Sequence, residues 1–249
     1  MTWVKICGMT SLEDALVAVE AGADAVGFVF YEKSPRKISV EAAREIVGKL
    51  PEGVEKIGVF VGVKANSLKV LLDVGLNGMQ IYPPAEGREE SGGSFVAVGA
   101  GRIPDHVRNA RFLTALPMNL VGEDREKIRE LGSDFATLGG YRPRRATPFG
   151  DPEKFAFLLD SGDLRQPGGT GKKFDWNKAV PIAEGMRDGG VKLVVAGGLT
   201  AENVVEAIGI LKPWGVDVAS GVEARPGKKD PEKVRAFVKA VRDADRKAR

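Results

Sequence analysis

The sequence predicts an α/β domain with parallel strands, and three observations lead to this prediction. Short apolar segments alternate along the chain with longer segments whose apolar residues recur every three or four positions. Such alternation indicates parallel strands joined by crossover helices. The chain has 249 residues, which suits a single domain over 1–249, since closed α/β barrels commonly occupy about 200–250 residues. Glycine and polar residues follow most of the predicted strands.

Seven strands are clear from the sequence, and an eighth is expected within residues 83–154, together with an extra segment. The seven are WVKIC (3–7), AVGFVF (25–30), KIGVFVG (56–62), GMQIY (78–82), FAFLLD (155–160), KLVVAGG (192–198) and VDVASG (216–221). Candidates for the missing strand are SFVAVGAG (94–101) and ARFLTALPM (110–118), and DFATLGGY (134–141) is a further apolar run. Eight strands would close a (β/α)8 barrel, and an open doubly wound sheet is the competing architecture.

Amphipathic helices are predicted between the strands. They are SLEDALVAVEAG (11–22), SVEAAREIVGKL (39–50), NSLKVLLDVG (66–75), EDREKIRELG (123–132), WNKAVPIAEGMRDGG (176–190), TAENVVEAIGIL (200–211) and DPEKVRAFVKAVRDADRKAR (230–249). The predicted N-caps are Ser11, Ser39, Asn66, Asp175, Thr200 and Asp230, because a short polar side chain there can accept a hydrogen bond from a backbone N–H of the first turn.

Composition excludes several classes of protein. One cysteine and one histidine, Cys7 and His106, are too few for an internal disulfide or a zinc site, and no motif supports a magnesium site built from carboxylates alone. The net charge of +3 is spread along the chain, so no nucleic-acid partner is expected. No apolar run approaches the roughly 20 residues of a membrane span, and no secretory leader is visible, so a cytoplasmic protein is expected.

Two glycine-containing turns predict a phosphate site. Gly197 and Gly198 stand at the end of the predicted seventh strand, and Ser220 and Gly221 stand at the end of the eighth. Barrels often bind phosphate between the loops after these two strands, through backbone N–H groups at helix starts. Each pair taken alone would also fit an ordinary tight turn.

The glycine-rich segment PGGTGKK (167–173) does not fit a P-loop. Gln166 stands where that motif needs glycine, and Lys173 stands where it needs serine or threonine. We interpret Gly168, Gly169, Thr170 and Gly171 as a flap that folds over a ligand.

Cys7 and Asp160 are the candidate proton-transfer groups. Both end predicted strands at the face of the domain where barrel enzymes place their sites. Gly8 follows the cysteine and would let a ligand approach closely, and Leu158 and Leu159 would partly enclose the carboxyl group. The alternative for Cys7 is a buried structural cysteine.

Six motifs in order, KICGMTSLEDA, FYEKSPRKIS, FLLDSG, PGGTGKKFDW, AGGLTAENV and VDVASGVEARPGKKD, resemble the phosphoribosylanthranilate isomerase family of tryptophan biosynthesis. The match covers residues 1–80 and 155–245. The resemblance implies a (β/α)8 barrel, which favours the barrel over the open sheet. It also implies an Amadori rearrangement of N-(5-phosphoribosyl)anthranilate without cofactor or metal, with Cys7 as general base, Asp160 as general acid and Arg36 binding the anthranilate carboxylate.

The chain departs from the family pattern at two places. It has Gln80, Ile81, Tyr82 and Pro83 where the family usually has Gln-Leu-His-Gly, and its segment between the fourth and sixth strands is longer than usual. Asp217 is expected to support the last strand rather than to touch substrate.

Two other functions stay open at this stage. One is a related barrel isomerase of phosphorylated sugars, such as that of the histidine pathway, which uses two aspartates; Cys7 counts against it. The other is a binder of a phosphorylated ligand without activity, which would need neither proton-transfer group. The expected partner is a small phosphorylated molecule, and the chain is expected to be a monomer or a homodimer.

Overall fold

The computed structural model describes residues 1–62, 65–82, 110–118, 152–161 and 174–247. Eight parallel strands form a closed barrel in chain order, with β1 also paired to β8. The strands are β1 Trp3–Cys7, β2 Ala25–Val29, β3 Glu55–Val61, β4 Gly78–Tyr82, β5 Arg111–Pro117, β6 Phe155–Asp160, β7 Leu193–Val195 and β8 Gly215–Val218. The barrel is therefore confirmed over the open sheet.

The fifth strand is the second of the two candidates, ARFLTALPM (110–118). β5 pairs with β4 through Gly78 and Arg111, and with β6 through Phe112 and Phe155. This pairing confirms the segment 110–118 as strand-forming. The other candidate strand 94–101, the apolar run 134–141 and the predicted helix 123–132 lie outside the described residues.

Six helices of the described chain pack around the barrel. They are α1 Leu12–Glu20, α2 Val40–Val47, α3 Ala65–Val74, α4 Trp176–Asp188, α5 Val204–Leu211 and α6 Pro231–Lys247. Short 3₁₀ turns occupy Pro152–Lys154 and Ser220–Val222. None of the helices in these ranges is long and apolar enough to cross a membrane.

Four of the six predicted N-caps are confirmed, and two are wrong. The side chains of Ser11, Ser39, Asp175 and Asp230 accept hydrogen bonds from backbone N–H groups of the helix that follows. Asn66 lies inside α3, which begins one residue earlier.

Thr200 is not a cap, because the helix begins only at Val204. Residues 200–203 form a turn instead, and the side chain of Asn203 closes this turn. That side chain accepts a hydrogen bond from the Thr200 N–H at 2.9 Å and donates one to the Gly198 carbonyl oxygen at 2.9 Å.

The described residues form two apolar cores, and the side chains of β1 point alternately into one and the other. Val4 and Ile6 face outward into the large core between barrel and helices, while Trp3 and Cys7 belong to a smaller core within the barrel. Side chains two residues apart share one face of a strand, so Lys5 also lies inside the barrel, where it is fully buried. The barrel interior is therefore less apolar than its sequence pattern suggests.

One small element was not predicted. Residues Glu223–Arg225 (β9) and Lys228–Lys229 (β10) form a two-stranded antiparallel sheet in the loop after β8. This hairpin carries Glu223 and Lys229, two buried charged residues, to the mouth of the barrel.

Candidate active site

A cavity of about 320 Å³ opens at the carboxyl ends of the strands. Seven residues predicted from the sequence line it together: Cys7, Arg36, Asp160, Gly197, Gly198, Ser220 and Gly221. The predicted flap, Gly168 to Gly171, lies outside the described residues. Since the lining residues come from both halves of the chain, closure of the barrel is what brings them together.

Cys7 ends β1 and reaches the cavity beside a glycine of the next strand. Gly27 is paired with it in the sheet, and a Cβ at position 27 would lie 2.7 Å from the Cys7 Sγ and 3.0 Å from the Lys5 Cε. Any larger residue there would collide with both side chains. Gly27 therefore makes room for the thiol and for the lysine below it.

Lys5 lies beneath Cys7, and its side chain contacts strand β8 and, across the barrel interior, strand β4. Its Nζ donates to the Gln80 Oε1 at 2.8 Å and to the Asp217 Oδ2 at 3.0 Å. Burial alone would lower the pKa of Lys5, but the negative charges of Asp217 and Cys7 outweigh burial and raise it. Lys5 is therefore an ammonium ion next to the thiol.

Neighbouring groups shift the pKa of the Cys7 thiol in opposite directions. Burial raises its pKa, the positive charge of Lys5 opposes that shift, and the negative charge of Asp217 adds to it. The net direction is upward. A thiol in this position is a strong base once deprotonated, and Lys5 is the group that favours its deprotonation.

Asp160 ends β6 and meets a tyrosine from β4. The Tyr82 hydroxyl donates a hydrogen bond of 2.6 Å to the Asp160 Oδ2, and the residues are 6% and 3% exposed, respectively. Burial and then the charge of Asp160 raise the pKa of Tyr82 well above its ordinary value. Position 82, one of the two departures from the family pattern, therefore contacts the candidate acid directly.

Arg36 is buried and held by Glu223. Its Nε donates to the Glu223 Oε1 and its Nη2 to the Glu223 Oε2, both at 2.8 Å. Gly8 has a φ of +85°, and a Cβ there would lie 2.6 Å from the Arg36 Cδ. The prediction that Gly8 admits a ligand is corrected, because the close neighbour is this arginine.

Lys229 connects the arginine to the end of β1. Its Nζ donates to the Cys7 carbonyl oxygen at 2.6 Å and to the Glu223 Oε1 at 3.0 Å. Burial opposes ionisation of Glu223, but its bonds to Arg36 and the charge of Lys229 hold its pKa below the ordinary value. The hairpin after β8 thus fixes Arg36 through an ionised carboxylate.

The two glycine-containing turns pack against each other at the rim of the cavity. A Cβ on Gly221 would lie 1.8 Å from the Leu199 carbonyl oxygen, so only glycine permits this approach. Within the described ranges, the amides of Gly197, Gly198, Ser220 and Gly221 donate to no other backbone group. Their N–H groups are the ones that the sequence assigns to phosphate.

The sequence reading missed several residues of the site. Lys5, Gln80, Glu223, Lys229 and Asn203 each fix a predicted residue or its loop. The one available signal was Lys5, a charge at an interior-facing position of an apolar strand. Across the described ranges, no group of three or more histidine, cysteine or acidic residues could hold a metal ion.

Fold and site together define a (β/α)8 barrel with a cavity at the carboxyl ends of its strands, into which a thiol, a carboxyl group and a guanidinium group face, the arrangement of barrel enzymes. The family model for N-(5'phosphoribosyl)anthranilate (PRA) isomerase matches residues 4–82 and 140–240. The chain belongs to this family. The family match confirms the resemblance on which the sequence-based assignment depended.

Curated relatives and solved structures agree with this membership. An isomerase of Rubrobacter xylanophilus is 42% identical over 248 residues, covering 97% of this chain and 100% of that protein. A solved isomerase of Thermotoga maritima is 36% identical, with a TM-score of 0.70 and coverage of 98% and 100%. A phosphoribosyl anthranilate isomerase in complex with reduced 1-(o-carboxyphenylamino)-1-deoxyribulose 5-phosphate is 34% identical, with a TM-score of 0.67 and the same coverage.

Proposed function

We propose that this chain is a phosphoribosylanthranilate isomerase in which Cys7 is the general base and Asp160 the general acid. The reaction is the Amadori rearrangement of N-(5-phosphoribosyl)anthranilate to 1-(2-carboxyphenylamino)-1-deoxyribulose 5-phosphate, a step of tryptophan biosynthesis. The observation that carries the proposal is that a thiol and a carboxyl group line one cavity together with Arg36 and both glycine-containing turns.

Asp160 acts first by protonating the ring oxygen of the furanose. The C1–O bond breaks, and the ring opens to an iminium ion. The Cys7 thiolate then removes the proton from C2, which gives an enolamine. The enolamine tautomerises to the ketone, its O–H proton being lost as C1 gains one. Asp160 has then lost one proton and Cys7 has gained one, and exchange with solvent restores both groups.

The surroundings of Cys7 fit this order of events. The buried thiol is mainly protonated before the reaction, because its pKa is raised, and it acts as a base only after it has released this proton to solvent. Lys5 provides one positive charge beside it, and the iminium ion formed in the first step provides a second. The base is therefore strengthened at the step that uses it.

The two ends of the substrate are held by different groups at the mouth of the cavity. Arg36 meets the anthranilate carboxylate with its Nη1 side, since Glu223 occupies the Nε and Nη2 side. The phosphate accepts hydrogen bonds from the amides of Gly197, Gly198, Ser220 and Gly221. A pre-oriented guanidinium recognises a carboxylate at little further cost in side-chain entropy.

The test is steady-state conversion of freshly generated phosphoribosylanthranilate, followed by loss of its fluorescence. Cys7→Ser and Asp160→Asn should each lower kcat on the order of a hundred- to ten-thousandfold. Asp188→Asn, an exposed carboxylate at the end of α4, is the matched control and should retain wild-type kcat. Circular dichroism of each variant shows whether it is folded.

The turnover of the wild type tests the isomerase activity, and the turnover of Cys7→Ser tests the role of the thiol. A folded wild type without turnover would contradict the isomerase and support the non-catalytic binder. Turnover that survives Cys7→Ser would keep the enzyme and make the cysteine structural.

Oligomeric state and location stay predictions. One solved structure, 35% identical with a TM-score of 0.68, is of monomers generated from the dimeric isomerase of Thermotoga maritima. For this chain, a monomer or a homodimer and a cytoplasmic location are proposed, and light scattering after size exclusion decides the first.

A further inference from the structure

Lys229 lies in the hairpin after β8 and is a buried charge. Its side chain is 0% exposed, and Lys229 does not itself line the cavity. A lysine is almost never fully buried unless its charge is paired. Any influence of Lys229 on a bound ligand must therefore pass through the groups that its side chain contacts.

The Lys229 side chain has three hydrogen-bond acceptors, which come from separate parts of the site. The Nζ atom donates to the Cys7 carbonyl oxygen at 2.6 Å, to the Ala219 carbonyl oxygen at 3.2 Å and to the Glu223 Oε1 at 3.0 Å. Burial lowers the pKa of Lys229, although the charge of Glu223 opposes this shift. A protonated lysine has three N–H donors. The three acceptors therefore fit the ammonium ion and use all of its donors.

Each acceptor belongs to a segment with its own role in the proposed reaction. Cys7 ends the strand that carries the base. Ala219 directly precedes the 3₁₀ turn Ser220–Val222, whose first two amides are assigned to the phosphate. Glu223 holds the guanidinium of Arg36 through two hydrogen bonds of 2.8 Å. One ammonium group thus joins the supports of the base, the phosphate site and the carboxylate site.

We propose that Lys229 is a positioning residue, which anchors the phosphate-binding turn and Arg36 to the end of β1. The inference rests on the proposed function, since it concerns the groups assigned there to the two ends of the substrate. Lys229 contacts neither end itself. Because one substrate must reach both groups at once, their placement decides how well it binds.

The experiment measures competitive inhibition of turnover by two fragments of the substrate. Inorganic phosphate probes the turn after β8. Benzoate probes Arg36, because its carboxylate is attached to an aromatic ring as in the substrate. In Lys229→Met both inhibition constants should rise about tenfold, the change expected for loss of a hydrogen bond from a charged group.

Two further variants make the comparison specific. Arg36→Met should raise the constant for benzoate and leave that for phosphate unchanged, which shows that the two fragments report separate groups. Lys233→Met is the matched control, because the Lys233 Nζ donates to the Glu223 carbonyl oxygen at 2.9 Å from an exposed residue. Both constants should stay at the wild-type values in this control.

A purely structural role predicts a different result. It would lower the free energy of unfolding and leave both constants unchanged in folded Lys229→Met, which would make the proposal wrong. A rise in only one constant would also contradict it, because Lys229 would then support one end of the site alone. If circular dichroism shows that Lys229→Met does not fold, Lys229→Gln replaces it, since the amide keeps N–H donors without the charge.

Failure of this inference can be distinguished from failure of the proposed function. Absence of turnover in the folded wild type, or of inhibition by either fragment, contradicts the proposed function. A wild type that turns over and is inhibited by both fragments, beside Lys229→Met with unchanged constants, contradicts only the positioning role.

Discussion

The two ends of the barrel interior are closed by different chemistry. At the amino-terminal end, the rings of Trp3 and Trp214 stack at 5.1 Å, and the Arg111 guanidinium lies 4.7 Å from the Trp214 ring and bonds to Glu55 at 2.9 Å. At the carboxyl end, Cys7 and its neighbours face an open cavity. β1 serves both ends, with Trp3 at one and Cys7 at the other.

The difference lies in how polar groups are satisfied. At the amino-terminal end, Glu55 accepts hydrogen bonds from Arg111 and also from the Trp3 Nε1 at 3.2 Å. At the carboxyl end, within the described chain, the Asp217 Oδ1 is buried without a hydrogen-bond partner. An unsatisfied buried acceptor costs stability and is common at functional sites. The comparison teaches that one end of the barrel stabilises the fold and the other end is kept reactive.

The largest effect on stability is expected from Lys5→Met. The change leaves the Asp217 carboxylate buried without its cation, so the free energy of unfolding should fall by about 3–5 kcal/mol. Urea denaturation measures the loss. The double variant Lys5→Met with Asp217→Asn should recover part of it, because the uncompensated charge is gone. Equal stability of Lys5→Met and wild type would show that the pair contributes nothing at this end.

A smaller effect is expected from Trp214→Ala at the opposite end. Loss of the stacked ring and its cation contact should lower the free energy of unfolding by about 2–4 kcal/mol. The value of kcat/KM should stay near that of the wild type, because the cavity is at the other end. Trp214→Phe is the matched control and should retain most of the stability. A collapse of kcat/KM in folded Trp214→Ala would remove the distinction between the two ends.

The smallest effect concerns the titration of the thiol. The chain has one cysteine, so alkylation by iodoacetamide reports Cys7 alone. Because burial raises its pKa, the midpoint of the alkylation rate should lie above the ordinary thiol value of about 8.5. A midpoint below that value would mean that Lys5 outweighs burial.

The same shift has a consequence for stability. A thiol whose pKa is higher in the folded than in the unfolded state ionises first in the unfolded chain. Its contribution to stability is therefore fully present below pH of about 8.5 and is lost as the pH rises toward the folded pKa. In Cys7→Ser this part of the alkaline dependence should disappear from the unfolding free energy.

Much of the site could be predicted because its signals are local. Cys7 and Asp160 each end a strand, the two glycine-containing turns follow shortly after β7 and β8, and parallel strands in a barrel end at one face. The choice between two candidates for the fifth strand could not be made from the sequence, because each has a strand-like composition and only pairing with β4 and β6 decides. The prediction of Thr200 as an N-cap was also wrong. The Asn203 side chain closes a turn over residues 200–203, and the helix begins only after that turn.

The sequence by itself determined the class of fold, the face that carries the function and the residues at the strand ends. Tertiary structure decided how those residues are tuned. Tyr82 and Asp160 are 78 positions apart, Arg36 and Glu223 are 187 apart, and Lys5 and Asp217 are 212 apart. Periodicity and turn composition report only on neighbours in the chain. Contacts over such separations exist only once the barrel has closed.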